Sequence, residues 1–229
     1  MEKKYEFVKG DSKEWKDRTL HRIIATEDFN DVKKGDLGGY IENESNLSRE
    51  GACWVYDEAI VYGDAKVYDN AKVYGNVKVY DHAEVYGNAK VYDHTEVYGN
   101  AKIYGDARFL RYETKVYGNA RVYGHAEVYG DAKIYDYAKV YGNAEVYGNV
   151  EVYDHAEVYE GAKIYDDAKI LRYGTKVYGH ARVCGNAEVY GDARVYDDAY
   201  IYCNAKVYGH AKVYGNAEVY GNVYSGELC

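Results

Sequence analysis

The sequence predicts an all-β chain wound as a solenoid, and three observations carry the prediction. From Val55 a six-residue unit, Val-Tyr-Gly/Asp-Asn/Asp/His-Ala-Lys/Glu, repeats almost to the C-terminus; counted by its first position there are 28 hexads, the last opening at Val219. Within each hexad an aliphatic residue and, two positions earlier, an alanine flank a charged residue. The chain therefore reads in-out-in, the pattern of a short strand with one buried face. The chain also has no proline, as fits a backbone whose amide groups are nearly all used in β ladders. A unit this short cannot bury its apolar face alone and must stack on copies of itself.

Residues 1–50 lie outside the repeat. Tyr5 to Val8 and Leu20 to Thr26 read as short strands, and Gly35-Asp36-Leu37-Gly38-Gly39-Tyr40 reads as a turn. Ile41, Leu47 and Cys53 are six apart, so an irregular first coil is expected to begin near Leu37. A solenoid end exposes unpaired backbone and an apolar cross-section, so residues 1–50 are assigned the role of cap. Within the repeat, position i is the aliphatic residue: Val61, Val67, Val73, Ile103 or Phe109. Position i−2 is the small one: Ala59, Ala65, Ala71, Val77 or Thr95. Positions i+2 and i+3 form a turn. Asn70, Asn76, His82, Asn88 and Asp106 stand at i+3, and these are residue types that tolerate left-handed backbone geometry. Gly or Asp precedes them and helps the bend.

At this level of detail the chain resembles the hexapeptide-repeat, left-handed β-helix family, the superfamily of the trimeric acyltransferases. Val73-Tyr74-Gly75-Asn76-Val77-Lys78 carries the likeness, with an aliphatic residue followed four positions later by a small one. The match covers residues 55 to about 222. Where that family has a small or acidic residue at i+1, this chain has tyrosine, and in this it is similar to the tyrosine-rich left-handed β-helix proteins. The resemblance implies a left-handed parallel β-helix, three hexads to a triangular coil, and about nine coils in a rod roughly 45 Å long at a strand spacing of ~4.8 Å. It implies no enzymatic activity. The expected organisation is a cap with an irregular first coil over 1–50, a β-helix over 51–224 and a C-terminal tail over 225–229.

The hexad gains one residue twice, at Phe109-Leu110-Arg111-Tyr112-Glu113-Thr114-Lys115 and at Ile170-Leu171-Arg172-Tyr173-Gly174-Thr175-Lys176. The two lie 61 residues apart, and 103–163 aligns with 164–224, the mark of a segmental duplication. Each is expected to enlarge a corner, with a functional loop as the other reading.

Tyrosine fills i+1 in 25 of the 28 hexads. With three hexads per coil, every third one shares a face, and three outward ladders follow. The first is Tyr68, Tyr86, Tyr104, Tyr123, Tyr141, Tyr159, Tyr178, Tyr196 and Tyr214, without a break. The second runs from Tyr62 to Tyr208 and is broken at Leu171; the third runs from Tyr56 to Tyr220 and is broken at Leu110 and Cys184. Ring stacking along the rod is worth ~0.5–1.5 kcal/mol per pair. Three uses of the rings are weighed: stabilising the rod, passing an oxidising hole from phenol to phenol, and offering an aromatic surface to a glycan or protein partner.

Other classes find less support. A formal net charge of -9 argues against nonspecific nucleic-acid binding, which is built on phosphate neutralisation. No apolar run is long enough to span a membrane, and no secretory signal follows Met1 to Val8. Cytoplasmic residence is the default expectation, with a phage particle or the cell surface as other settings. Cys53, Cys184, Cys203 and Cys229 show no C-x-x-C or zinc spacing, so free thiols are expected. His82, His94, His125, His155, His180 and His210 all stand at i+3 and read as turn residues. The nearest two on one corner are three coils apart, about 14 Å, too far to share a metal. No catalytic residue, cofactor or metal ligand is assigned. A relative of the hexapeptide acyltransferases, which use a histidine base beside a cofactor cleft, is the rival from the enzyme class. The uncapped C-terminal end is expected to support a tail-to-tail homodimer. At i+2, Asp and Gly alternate from Asp57 to Asp93, which keeps most carboxylates from stacking on one another.

Overall fold

The computed structural model describes residues 3–110 and 113–229, with Leu110 described in its backbone only. Each hexad contributes a strand of two or three residues, as at Lys66–Val67, Lys72–Val73 and Lys78–Val79. Successive strands fall on three different faces. Each pairs in parallel with the strand one coil away, Lys66 opposite Glu84 and Val67 opposite Val85. Three sheets result, two of 10 strands and one of 13, and together they form a triangular β-helix.

There are about ten coils where nine were expected. Two strand positions are added at the start, where Ile41 pairs with Val61 and Leu47 bridges to Val67. The tenth coil is completed at the end. Asn222–Val223 and Glu227–Leu228 pair with Lys206–Val207 and Lys212–Val213, so residues 225–229 complete a coil and are not a tail. Cys53 takes the small-residue position, since Trp54–Val55 is the strand that pairs with Lys72–Val73.

The interior is as narrow as the sequence requires. The Val and Ala positions are sealed from solvent from Ala59 to Val213. Thr95, Thr114 and Thr175 replace the alanine at three buried sites, and each hydroxyl donates to a carbonyl: of Tyr92, Gly130 and Gly191 respectively. At Ile170–Lys176 the extra residue is absorbed by a wider corner, with left-handed Arg172 and Gly174. The corner at Phe109–Lys115 includes Arg111 and Tyr112, which lie outside the described residues.

The left-handed residue sits at i+2, one place earlier than the i+3 composition indicated. Asp69 and Gly75 have φ of 59° and 69°. The i+3 residue instead joins the ladder: Lys66, Tyr68 and Asn70 donate their amides to the carbonyls of Ala83, Val85 and Gly87. The side chains of Asn70, Asn88 and Asp106 continue as a second hydrogen-bonded ladder along that corner. The Asp–Gly alternation also has a structural use. The carboxylates of Asp57, Asp69 and Asp81 accept from the amides of Gly75, Gly87 and Gly99 one coil on. Asp136 and Asp154 break the alternation, with like residues in the same slot (φ 58° at both).

The cap is larger than its sequence indicated. Strand β1 (Tyr5–Trp15) and strand β2 (Arg18–Ala25) form an antiparallel hairpin, and β2 pairs with β3 (Leu37–Ile41), where a turn was expected. Gly38 and Gly39 lie within β3 because a Cβ there would stand 2.6 Å from Ile23 and 2.4 Å from the Ala59 carbonyl. One end of the cap plugs the prism, with Trp54 buried edge-on against Tyr5 and Phe29. Side-chain donors satisfy the first coil's carbonyls: Lys4 on Cys53, Tyr5 on Leu47, Asn46 on Gly63 and Ala65. The other end of the hairpin folds down a lateral face, where Leu20 and Trp15 cover Ile60, Tyr62 and Tyr80.

An Asp69→Ala substitution is expected to cost about 1–2 kcal/mol, because alanine resists the left-handed conformation. Asp69→Gly is expected to cost under about 1 kcal/mol, since it restores the backbone and loses only an exposed hydrogen bond. Urea unfolding of the two variants checks the order; equal losses would place the left-handed requirement elsewhere.

Candidate functional site

Tyrosine at i+1 points outward beside a corner, because Val at i points in and successive strand residues alternate. The coil repeat then sets one ring above another. From Tyr68 to Tyr214 eight successive contacts have centroid distances of 4.7–5.2 Å and interplanar angles of 0–9°. These spacings exceed the ~3.5–4.0 Å contact distance of two carbon atoms, so the rings are slid in the offset-stacked arrangement that aromatic quadrupoles favour. Each inner ring has both faces covered by its neighbours. What the ladder shows to solvent is ring edges and hydroxyls.

The two ends of this ladder differ from its middle. The Tyr68 hydroxyl donates to Glu84 at 2.9 Å, and the Tyr214 hydroxyl donates to Glu227 at 3.2 Å. Lysines hold both carboxylates in place, Lys102 at 3.1 Å from Glu84 and Lys212 at 2.7 Å from Glu227. Hydrogen bonds from Lys102 and Tyr68 overcome burial and keep the Glu84 carboxyl below its ordinary range, and Lys212 does the same for Glu227. The phenols move the other way. Burial pushes Tyr159 up to about 12, with the neighbouring Tyr178 and Glu160 adding to it. Burial likewise raises Tyr68, helped by its bond to Glu84.

The other ladders run in segments. The second stacks from Tyr62 to Tyr153 at 4.8–5.0 Å. Beyond Leu171 it resumes as Tyr190 on Tyr208 and extends to Tyr224, which is tilted by 59°. The third stacks Tyr56, Tyr74 and Tyr92, then Tyr129, Tyr147 and Tyr165. Its gap at Cys184 is filled by a ring that the hexad register did not flag. Tyr200 stands at i−1, where Lys or Glu is usual. It leans over to stack on Tyr202 at 4.8 Å and accepts hydrogen bonds from the Tyr165 hydroxyl and the Cys184 thiol. All four cysteines are free.

Three turn histidines pair with aspartates one coil before them: His82 with Asp64, His125 with Asp106 and His210 with Asp192, at 3.3–3.6 Å. These imidazoles are 65–84% exposed; His82 and His125 border shallow open grooves. Shallow grooves lie along the faces. One of about 420 Å³ is bordered by Trp15, Lys78, His94 and Glu96; one of about 640 Å³ is bordered by Arg121, Tyr137, His155, Glu157 and Tyr173. In the second, Tyr137 stacks on His155, and Tyr173 stands 74% exposed beside it. Among the described residues no group of three or more His, Cys, Asp or Glu side chains could hold a metal ion, and no helix is long and apolar enough to cross a membrane.

No family model matches this chain. One curated relative, named an uncharacterized acetyltransferase, YdcK, of Escherichia coli (strain K12), is 53% identical over 47 residues. That stretch is 20% of this chain and 14% of the relative. The likeness, with about ten parallel coils, fits an acyltransferase-like hexapeptide β-helix.

The raised phenol values give a pH dependence. The folded state holds these protons more tightly than the unfolded chain does, so the unfolded chain ionises first and stability falls as pH rises. The loss is expected to begin near the ordinary value of 10.0 and to continue to about 12, where Tyr74 and Tyr159 titrate. Absorbance at the phenolate band during alkaline unfolding checks this; Tyr74 and Tyr159 titrating near 10 in the folded protein would refute it.

Proposed function

We propose that the chain is a non-enzymatic rod whose working part is the unbroken ladder from Tyr68 to Tyr214, a structural and interaction element that can also pass an oxidising hole along its stacked phenols. The observation that carries this reading is the constancy of the stack: no gap between neighbouring rings exceeds 5.2 Å over the nine rings. A rod needs only stiffness, which the hydrogen-bonded coils already supply. Keeping a ring at every coil on one face, while the other two faces tolerate leucine or cysteine, favours a use that needs continuity.

Cys229 gives a handle for the test. It is exposed, and its Cβ lies beside Gly215, next to Tyr214. A ruthenium polypyridyl photo-oxidant attached to Cys229 in a Cys203→Ser, Glu227→Gln background, which removes the carboxylate that accepts from Tyr214, injects a hole at that end. Radical is expected on rings well beyond Tyr214, and Tyr141→Leu is expected to stop it short of Tyr123. A radical that never leaves Tyr214 in the Glu227→Gln background would sink the reading.

The glycan-binding alternative meets the covered ring faces: a sugar would reach edges on the ladder and a free face only at isolated rings such as Tyr173. The acyltransferase alternative rests on the short match to the acetyltransferase-named relative. Coenzyme A is expected to leave the thermal midpoint unchanged; a concentration-dependent rise would favour the transferase.

For partners, the C-terminal end is the contact we propose between two copies. Val219, Val223 and Leu228 belong to the terminal strands of the three sheets, and open strand edges are templates for pairing. A dimer mass by light scattering at micromolar concentration is expected, and a monomer would remove this contact.

A further inference from the structure

The hydroxyls of the nine-ring ladder are not equivalent. Tyr68 and Tyr214, its first and last rings, each donate to a carboxylate, Glu84 at 2.9 Å and Glu227 at 3.2 Å. Among the described residues, the seven rings between them donate to no carboxylate. The coincidence falls at the two places where a conduit must begin and end.

The difference matters because electrons and protons travel over different distances. An electron can pass between rings in contact. A proton transfers only across a hydrogen bond of about 2.6–3.2 Å. A phenol that loses an electron becomes a strongly acidic radical cation. Where the hydroxyl meets only solvent water, a far weaker base than a carboxylate, refilling by electron transfer from the next ring competes and the hole moves on. If a carboxylate already accepts its hydroxyl hydrogen, the proton leaves with the electron and the product is a neutral tyrosyl radical. That product is lower in energy and no longer exchanges by electron transfer alone.

We infer that Tyr68–Glu84 and Tyr214–Glu227 are the proton-coupled terminals of the ladder, where a hole entered anywhere on the stack comes to rest. The inference builds on the hole-passing reading above. At each terminal the O–H bond of the phenol breaks, its proton forms a new O–H bond on the glutamate carboxylate, and one electron passes up the stack to the oxidised ring. The outside oxidant, a one-electron acceptor of the ruthenium(III) polypyridyl class in the experiment below, is reduced by that electron. Protons and electrons balance: Tyr–OH and Glu–CO₂⁻ become Tyr–O• and Glu–CO₂H, and the oxidant gains one electron.

The lysines complete each terminal. Lys102 and Lys212 bond the same carboxylates that the phenols use. They fix the acceptor at the ring and leave an adjacent positive charge when the carboxylate is neutralised. The terminals therefore hold a proton on a short path back to the phenol, so each is reversible.

The test injects the hole in the middle. Asn143 is exposed two residues after Tyr141, so Asn143→Cys in a Cys203→Ser, Cys229→Ser background carries the photo-oxidant at the centre of the ladder. A nitroso spin trap then marks the radical, and peptide mapping locates it. Adducts are expected to concentrate on Tyr68 and Tyr214. Glu84→Gln is expected to drop Tyr68 to the level of the interior rings while Tyr214 keeps its share, and Glu227→Gln to do the reverse. Adducts spread evenly along the ladder, or a Tyr68 share unmoved by Glu84→Gln, would overturn the terminals and leave the conduit standing. Adducts confined to Tyr141 would overturn both. Circular dichroism of the two glutamine variants separates a lost proton acceptor from a disturbed fold.

Discussion

The features of this molecule inherit the register that sets most coils eighteen residues from the next, as Lys66 opposite Glu84, with one residue more where the hexad is enlarged, as Glu96 opposite Lys115. Backbone hydrogen bonds fix it, and they are made even at the corners, where the i+3 amide donates to the i+2 carbonyl of the following coil. A turn that takes part in the ladder cannot shift without breaking the strands on both sides. The left-handed residue at i+2 is therefore a requirement of the register, and glycine and aspartate meet it in different ways. Glycine has no Cβ to oppose the conformation. Aspartate tolerates it and adds a carboxylate that accepts from the glycine amide one coil on.

The tyrosine ladder is a consequence of that register. Parallel strands repeat at roughly 4.8 Å, a spacing that offset-stacked rings accept without distortion. The same regularity that buries Val on Val and Ala on Ala lays phenol on phenol. Stacking along the whole rod adds lateral cohesion to a core built from small side chains, where each buried methyl group contributes only about 0.8 kcal/mol. It also buries the ring faces, which raises the phenol pKa values and turns the exposed surface from π faces to edges. One geometric fact thus governs stability, ionisation and the kind of contact the surface can make.

Much of this was legible in the sequence, because a strict period leaves few alternatives. The hexad placed Val67 and Ala71 inside, set Tyr68 above Tyr86 and marked the breaks at Leu171 and Cys184. The turn was less legible. Asn, Asp and His at i+3 have the composition of left-handed residues, yet they serve as ladder donors and as a side-chain amide stack, while the mixed Gly/Asp position before them carries the positive φ. The cap was the least legible part. Gly38 and Gly39 look like turn residues, and only the approach of Ile23 and the Ala59 carbonyl shows why a strand needs them. Tyr200 is a related case: its place at i−1 predicts a solvated side chain, and the space above Cys184 draws it into the third ladder. The carboxylates at Tyr68 and Tyr214 follow from no period, because a hydroxyl's partner depends on side-chain direction.

The coil also limits where chemistry could sit. A hexad solenoid fixes an aliphatic residue at i, a small residue at i−2 and Gly or Asp at i+2, so half of each unit is dictated by the coil. Two chains that share only this architecture accumulate high identity over any stretch aligned in phase. Chemistry would have to come from residues that the coil leaves free, at i+1, i+3 and i−1. In this chain those positions hold stacked phenols, turn side chains that in places hydrogen-bond along a corner, and lysines and glutamates that in places pair between coils. The register that fixes the buried half of each unit thus also decides which free positions meet one another along the rod.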